Sequence, residues 1–244
     1  MLVETAAQTA DSDAMSIAVV DRLGNILAVW QGPSTPPTST GNYGNMVPTG
    51  DLAVSLARTA AFFSNDQAPL SSRTVRYISG IHFPPGIANT PNAALYGIEN
   101  TNRGCLLSTD YISGQQIPLA ASIDGSPDRL GIITGKADSM DSQPLAVNPG
   151  GVPVFKSGHV VGGIGIAGVP LDVAEYVAYA AAGMIAMGGP NAATDQIGFL
   201  PLPAPGAVVI GGITVPFVSN TSPPSDLIPP SGAFNPSFYA IGPV

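Results

Sequence analysis

The sequence predicts an α+β protein in which an antiparallel sheet is flanked by helices. Two stretches carry the same order of elements, a β-hairpin followed by an amphipathic helix, and a turn-rich insertion at residues 66–148 separates them. A third stretch, residues 188–244, is broken by Pro or Gly every few residues and reads as an extended arm. The expected organisation is one domain over 1–187, interrupted by the insertion, with the arm following it.

The first hairpin lies in SIAVVDRLGNILAVW, residues 16–30, where two β-branched runs flank Arg22-Leu23-Gly24-Asn25. Gly and Asn tolerate the positive φ that a tight turn demands. A Pro/Thr/Gly-rich loop covers 32–50. Asp51 is then expected to cap a helix whose stripe is Leu52, Leu56, Thr59 and Phe63 and whose exit is Asn65. This helix should lie on the sheet.

The second unit runs from a strand at 152–156 through a Ser157-Gly158 turn into a strand at 159–166, with a helix starting near Pro170 to Asp172. Asp172 and Glu175 have the spacing of a capping box, and Val173, Val177, Ala181 and Met184 form an apolar stripe. In the arm, residues 208–210 and 213–215 form a short hairpin-like pair around Gly211-Gly212.

Composition narrows the function. Eight basic against sixteen acidic residues give a net charge of −8, with the cations scattered singly, so a nucleic-acid partner is not expected. Apolar runs break well before the roughly 20 residues of a membrane span. A single cysteine, Cys105, leaves no intrachain disulfide or Cys-based zinc cluster and is read as a small buried side chain. Met1 leads into the polar LVETAAQTADSD without the pattern of a signal peptide. Only 10% of residues are charged, which points to a surface covered by copies of the chain itself. The many Ser, Thr, Asn and Gly residues lean towards an extracellular or periplasmic setting, with a cytoplasmic one as the alternative.

AVVDRLGNILAVW (18–30), ARTAAFF (57–63) and NPGGVPVFKSGHVVGGIGIAG (148–168), followed by a helix containing Glu175, resemble the GlcG/HbpS family of haem-binding proteins. The same domain ends some corrinoid adenosyltransferases. The resemblance covers about half the chain and implies a symmetric homo-oligomer that binds haem or a related tetrapyrrole in storage, sensing or handling. Where the family usually has Lys before the Ala matching Ala57, this chain has Leu56.

Candidate site residues follow from haem chemistry, since iron takes a nitrogen, sulfur or oxygen ligand in an apolar pocket. His82, in the stiff loop Gly80-Ile81-His82-Phe83-Pro84-Pro85-Gly86, is the first candidate metal ligand, and His159, at the start of a strand, the second; Tyr96, Met46 and Met140 are weaker ones. Arg73 and Arg76, three apart, would share a helical face and meet the propionates. Gly163-Ile164-Gly165-Ile166-Ala167-Gly168 satisfies GxGxxG between a strand and a helix. It lacks the acidic residue of a dinucleotide site, so Gly163 and Gly165 are read as places where a helix, a neighbouring subunit or a flat macrocycle approaches the sheet.

Three further patterns read as structure. Asp124-Gly125-Ser126-Pro127-Asp128 opens like a calcium loop but has Arg129 where the turn needs Gly. Asn220-Thr221-Ser222 is a sequon, and GxSxG is absent, so no hydrolase set is legible. The alternative function is a structural self-assembling subunit, a tube, filament or ring, whose arm packs on neighbouring subunits without a retained ligand.

Overall fold

The computed structural model describes residues 2–41, 46–78, 148–183, 209–210, 213–215, 217–230, 232 and 239–240. The fold is α+β, with helices on both faces of an antiparallel sheet. The expected hairpins are present. Strands β1 (Ser16–Asp21) and β2 (Ile26–Gln31) pair antiparallel, and so do β5 (Gly151–Lys156) and β6 (His159–Ala167). In the first turn Gly24 takes the expected positive φ (+82°) but Asn25 does not, serving through its side chain instead; in the second, Ser157 and Gly158 have φ +50° and +82°, the two positive angles of a two-residue hairpin turn. The Asp21 carboxylate fixes the first turn by accepting from the Leu23 and Asn25 backbone N–H groups and the Asn25 side chain. These bonds, the Asn25 side chain first, hold its pKa below the ordinary Asp value.

The sheet order is β5-β6-β1-β2-β9, so the two hairpins join through β1 and β6. Strand β9 (Tyr239–Ala240) comes from the arm and pairs with Val29 and Trp30 of β2. Two short pairs stand apart: β3 (Thr38–Thr40) with β4 (Met46–Pro48), and β7 (Val209–Ile210) with β8 (Ile213–Thr214), the latter at the predicted place.

Cross-strand register sorts the two faces. Gly151, Gly165, Ala18 and Val29 form one row across β5, β6, β1 and β2, and this face receives helix α2 (Thr49–Phe63). On the other face Val152, Ile164, Ile166, Ile17, Val19 and Trp30 meet α1 (Leu2–Thr9) and α4 (Leu171–Gly183) in the main core. Burial on both faces explains why β1 reads as a continuous apolar run. Each large side chain buried there contributes roughly 1.5–3 kcal/mol.

Helix α2 touches the sheet backbone to backbone. A Cβ on Gly163 would fall on the carbonyl oxygen of Ala57, one on Gly165 on that of Ala53, and one on Gly151 on that of Leu56. The facing positions on the helix are Ala53, Ala57 and Ala61, one turn apart. The buried residues of the helix are Thr49, Leu52, Ala53, Val54, Leu56, Ala57, Ala60 and Ala61, with Val54 at the flank of this face. Of the predicted stripe, Leu52 and Leu56 belong to it, whereas Thr59 and Phe63 lie at its edge. Asp51 is not the cap either. The helix starts two residues earlier, after Pro48, and Thr49 anchors that start through its hydroxyl, bonded to Pro36 O (2.5 Å) and Ser39 Oγ (2.8 Å). Ser64 caps the exit, its N–H donating to Ala60 O, and Asn65 shapes the turn that follows, its side chain accepting from the Gln67 and Ala68 N–H groups.

The capping box expected at Asp172 and Glu175 does not form. Asp172 accepts from Val173 N–H, and Glu175 turns inwards. Of the α4 stripe, Val173, Val177 and Ala181 are core, and Met184 lies outside the described residues. Within the insertion, helix α3 (Ser72–Tyr77) and Asn148 are described, tied together by Ser72, whose hydroxyl donates to Asn148 O (2.7 Å) and accepts from Gly151 N–H (3.0 Å). The described parts of the arm lie on the body of their own chain, where the assembly reading expected neighbours to receive them. Phe217 enters the main core, Val215 joins Leu70, Val75 and Ile78, Ser71 donates to Phe217 O, and Asp11 N–H donates to Ile228 O.

Among the described residues no helix is long and apolar enough to cross a membrane. The close contact of α2 with β6 generates a paired prediction. Gly165→Ala should lower the unfolding free energy by about 1–3 kcal/mol through overpacking. Gly183→Ala, in a helix with open space around it, should be neutral or stabilising by up to about 1 kcal/mol. Urea denaturation of both variants measures the difference, and equal effects would mean that the helix does not rest on the glycines.

Candidate functional site

The outer side of α2 carries a groove of about 410 Å3 lined by Ile26, Asp51, Val54, Ser55, Arg58, Thr59, Phe62 and Phe63. Its position follows from the alanine face: once Ala53, Ala57 and Ala61 turn to the sheet, Asp51, Val54, Ser55, Arg58 and Phe62 must line the opposite and flanking sides. The β1–β2 turn forms one wall. Arg58 Nε donates to Gly24 O at 2.9 Å, which fixes the guanidinium, and the Phe62 ring occupies the space a Cβ on Gly24 would need. The missing side chain of Gly24 thus lets a cation and an aromatic ring settle beside each other. Phe62 remains 47% exposed, and Leu23 at the turn tip 79%.

A smaller cleft of about 260 Å3 opens between the β3–β4 pair, the start of α2 and the start of α4. Leu52, Ile166, Ala167 and Ala174 give it apolar walls, and Thr38, Ser39 and Met46 stand at its mouth. Met46, one of the weaker iron candidates, is largely exposed, with its thioether 3.5 Å from the Thr40 hydroxyl.

Of the described residues predicted for haem, Met46 lines the smaller cleft, whereas Arg73, His159, Gly163 and Gly165 line neither place. Arg73 Nε and Nη2 donate to Glu175 Oε1 (2.6 Å) and Oε2 (3.1 Å), and Glu175 also accepts from the backbone (3.1 Å) and side chain (2.7 Å) of Asn220. Glu175 is fully buried, so this ion pair joins α3, α4 and the arm inside the molecule. The side-chain amide of the sequon asparagine is engaged in the same knot. His159 is exposed at the far end of β6 from the smaller cleft, about 26 Å away along the strand. There its Nδ1 donates to Asp66 Oδ2 at 2.7 Å, while Asp66 Oδ1 accepts from Val160 N–H at 2.8 Å. Gly163 and Gly165 are covered by α2, which selects the helix among the three partners expected for them and leaves no face for a macrocycle or a pyrophosphate. His82, Tyr96, Met140, Cys105, the 124–128 loop and the side chain of Arg76 lie outside the described residues. Among the described residues, no cluster of three or more His, Cys, Asp or Glu is placed to hold a metal ion.

Sequence reasoning missed Arg58 and Phe62. Their signal in the sequence is a cation and an aromatic at i and i+4 on a helix.

The sequence matches no family model and no curated protein. Among solved structures, the chain is similar to the crystal structure of Klebsiella pneumoniae protein ORFY, which is described under the family model DUF336. The two are 19% identical, with a TM-score of 0.33 over 69% of this chain and 72% of that one.

Two predictions follow from the polar contacts. Arg73→Met leaves a buried carboxylate without its cation and should cost about 3–5 kcal/mol in thermal or urea unfolding; a loss below 1 kcal/mol would show that Glu175 does not depend on Arg73. Asp66 has its pKa depressed by the bonds from His159 and then Val160. Its contribution to stability is therefore present above the unfolded-state value of 3.8 and is lost as pH falls through the lower folded value. Asp66→Asn should flatten the acid limb of stability against pH over that window, and an unchanged limb would contradict the assignment.

Proposed function

We propose that the protein is a self-associating domain that binds haem or a related tetrapyrrole and serves in its storage, sensing or handling. The observation that carries this reading is the outer groove of α2, where the Phe62 and Phe63 rings, the aliphatic Ile26 and Val54, and the Arg58 guanidinium share about 410 Å3. That volume is in the range of small-molecule sites, and a mostly apolar lining with one fixed cation suits a flat molecule that carries carboxylates. The resemblance of 18–30, 57–63 and 148–168 to GlcG/HbpS proteins supports the ligand class.

The fit is to the body and acidic edge of the macrocycle. Ile26, Val54, Phe62 and Phe63 would cover its apolar face and exclude water there, and Arg58 would meet a propionate. The oxygens of Asp51, Ser55 and Thr59 are the groups in the groove that could reach iron. Bound haem would supply redox and gas-binding chemistry at its iron.

Self-association is supported by the exposed apolar side chains Leu23 and Leu27 and by the low charge. An extracellular or periplasmic setting accords with the same composition. Titration of the protein with hemin should give a shifted Soret band saturating near one per chain, and light scattering should give a mass that is a multiple of 24.6 kDa. A free-hemin spectrum at stoichiometric protein would overturn the ligand. Association without binding would favour the structural-subunit reading, and a monomer would remove self-association.

A further inference from the structure

Resting on the self-association half of that reading and not on its ligand, we propose that the outer face of α2 is a two-fold interface between two copies of the chain, in which Arg58 of each copy pairs with Asp51 of the other. Asp51, Ser55, Arg58 and Phe62 recur at i, i+4, i+7 and i+11, so they form one stripe along the helix, and all four are exposed. Asp51 and Arg58 stand two turns apart, about 10 Å along the axis, too far to pair on one helix. Among the described residues neither the Asp51 carboxylate nor the two terminal nitrogens of Arg58 has a partner, since Gly24 O takes only Nε. An acid and a cation held apart on one stripe are both satisfied by a second, antiparallel copy of the same stripe.

The apolar groups at the two ends of the helix point to the same arrangement. Phe62 and, beside it on the β1–β2 turn, Leu23 stand at the C-terminal end of α2, and Met46, in the strand that leads into the helix, stands at its N-terminal end. All three are large apolar side chains left exposed. A two-fold axis at the level of Ser55 sets Asp51 opposite Arg58 and, by the same spacing, the Phe62 end of one helix opposite the Met46 end of the other. One operation thus matches charges and apolar groups together, and the small Ser55 at its centre lets the helices come close. The bond from Arg58 Nε to Gly24 O fixes the guanidinium before the copies meet, which lowers the ordering cost of association. A face of one helix and two short flanks is small beside the roughly 1,200–2,000 Å2 of a stable complex, so the dimer should be weak and concentration-dependent. A ligand in the groove and a second copy on α2 exclude each other, and the test is therefore run without ligand.

Sedimentation velocity of the full-length chain at concentrations up to about 200 µM should show a monomer–dimer equilibrium that about 0.5 M salt weakens severalfold. Asp51→Arg and Arg58→Asp each set like charges across the axis and should weaken the dimer at least about tenfold, with circular dichroism unchanged. Mixed in equal amounts, the two single variants should recover a heterodimer, because one then carries a cation at both positions and the other an acid at both. Met46→Glu, at an exposed position outside α2, should weaken the dimer as well and keeps the test decisive if a reversal disturbs the helix. A mixture that stays monomeric overturns the pairing of Asp51 with Arg58. Association of the wild type that none of these variants changes overturns the interface while self-association stands. A wild type that is monomeric throughout overturns both, and hemin binding, measured separately, is untouched by either result.

Discussion

The contact on which the rest of the molecule depends is the bare approach of α2 to β6. Gly163 and Gly165 face Ala53, Ala57 and Ala61, and Gly151 on the neighbouring strand faces Leu56 O, so the helix backbone rests on the sheet backbone without intervening side chains. At ordinary helix–sheet spacing a void would run under the helix, because alanines and glycines alone cannot fill it. Close approach removes that void and fixes the rotation of the helix about its axis. The same rotation puts Arg58 and Phe62 outside and brings both to the β1–β2 turn. Core packing and groove are two sides of one helix.

The second constraint is the Glu175 knot. A fully buried carboxylate is unfavourable unless it is both paired and hydrogen-bonded. Here Arg73 supplies the charge and Asn220 the remaining donors, from segments far apart in the chain. The knot therefore ties the base of the insertion and the arm to α4, and Phe217 and Val215 bury alongside it. The described parts of the arm therefore pack on the body, although the composition of 188–244 reads as an extension.

Both hairpins, the positions of their turns, α2 and α4 were legible because each depends on local signals: β-branched alternation, turn-forming residues and helical spacing. The short pairs β3–β4 and β9–β2 were not, since two or three residues in a loop or an arm carry no period. Helix α1 lies in a stretch that reads only as polar, although Val3, Ala6, Ala7 and Ala10 have helical spacing. Glu175 shows how a local rule yields to a tertiary one. Its spacing from Asp172 suits a cap, yet the charge of Arg73, a hundred residues away in sequence, decides where the carboxylate points. The groove on α2 was not legible, because which side of the helix faces outwards follows from how close it sits to the sheet, a property of the glycines on another element.

This reasoning also separates two uses of glycine that look alike in sequence. A GxGxxG run between strand and helix suggests a turn open to phosphate or to a macrocycle, but here Gly163 and Gly165 belong to the strand itself and their open faces are filled by α2. Gly168 alone makes the turn, with φ +91°. Gly24 is the converse case: an ordinary hairpin glycine whose missing side chain is filled by Phe62, a ring on the surface of α2. The glycines that look functional in sequence build the core, and one that looks structural shapes the groove. Function on this scaffold is accordingly sought on the outer face of α2, where the side chains turned away from the sheet converge with the hairpin turn.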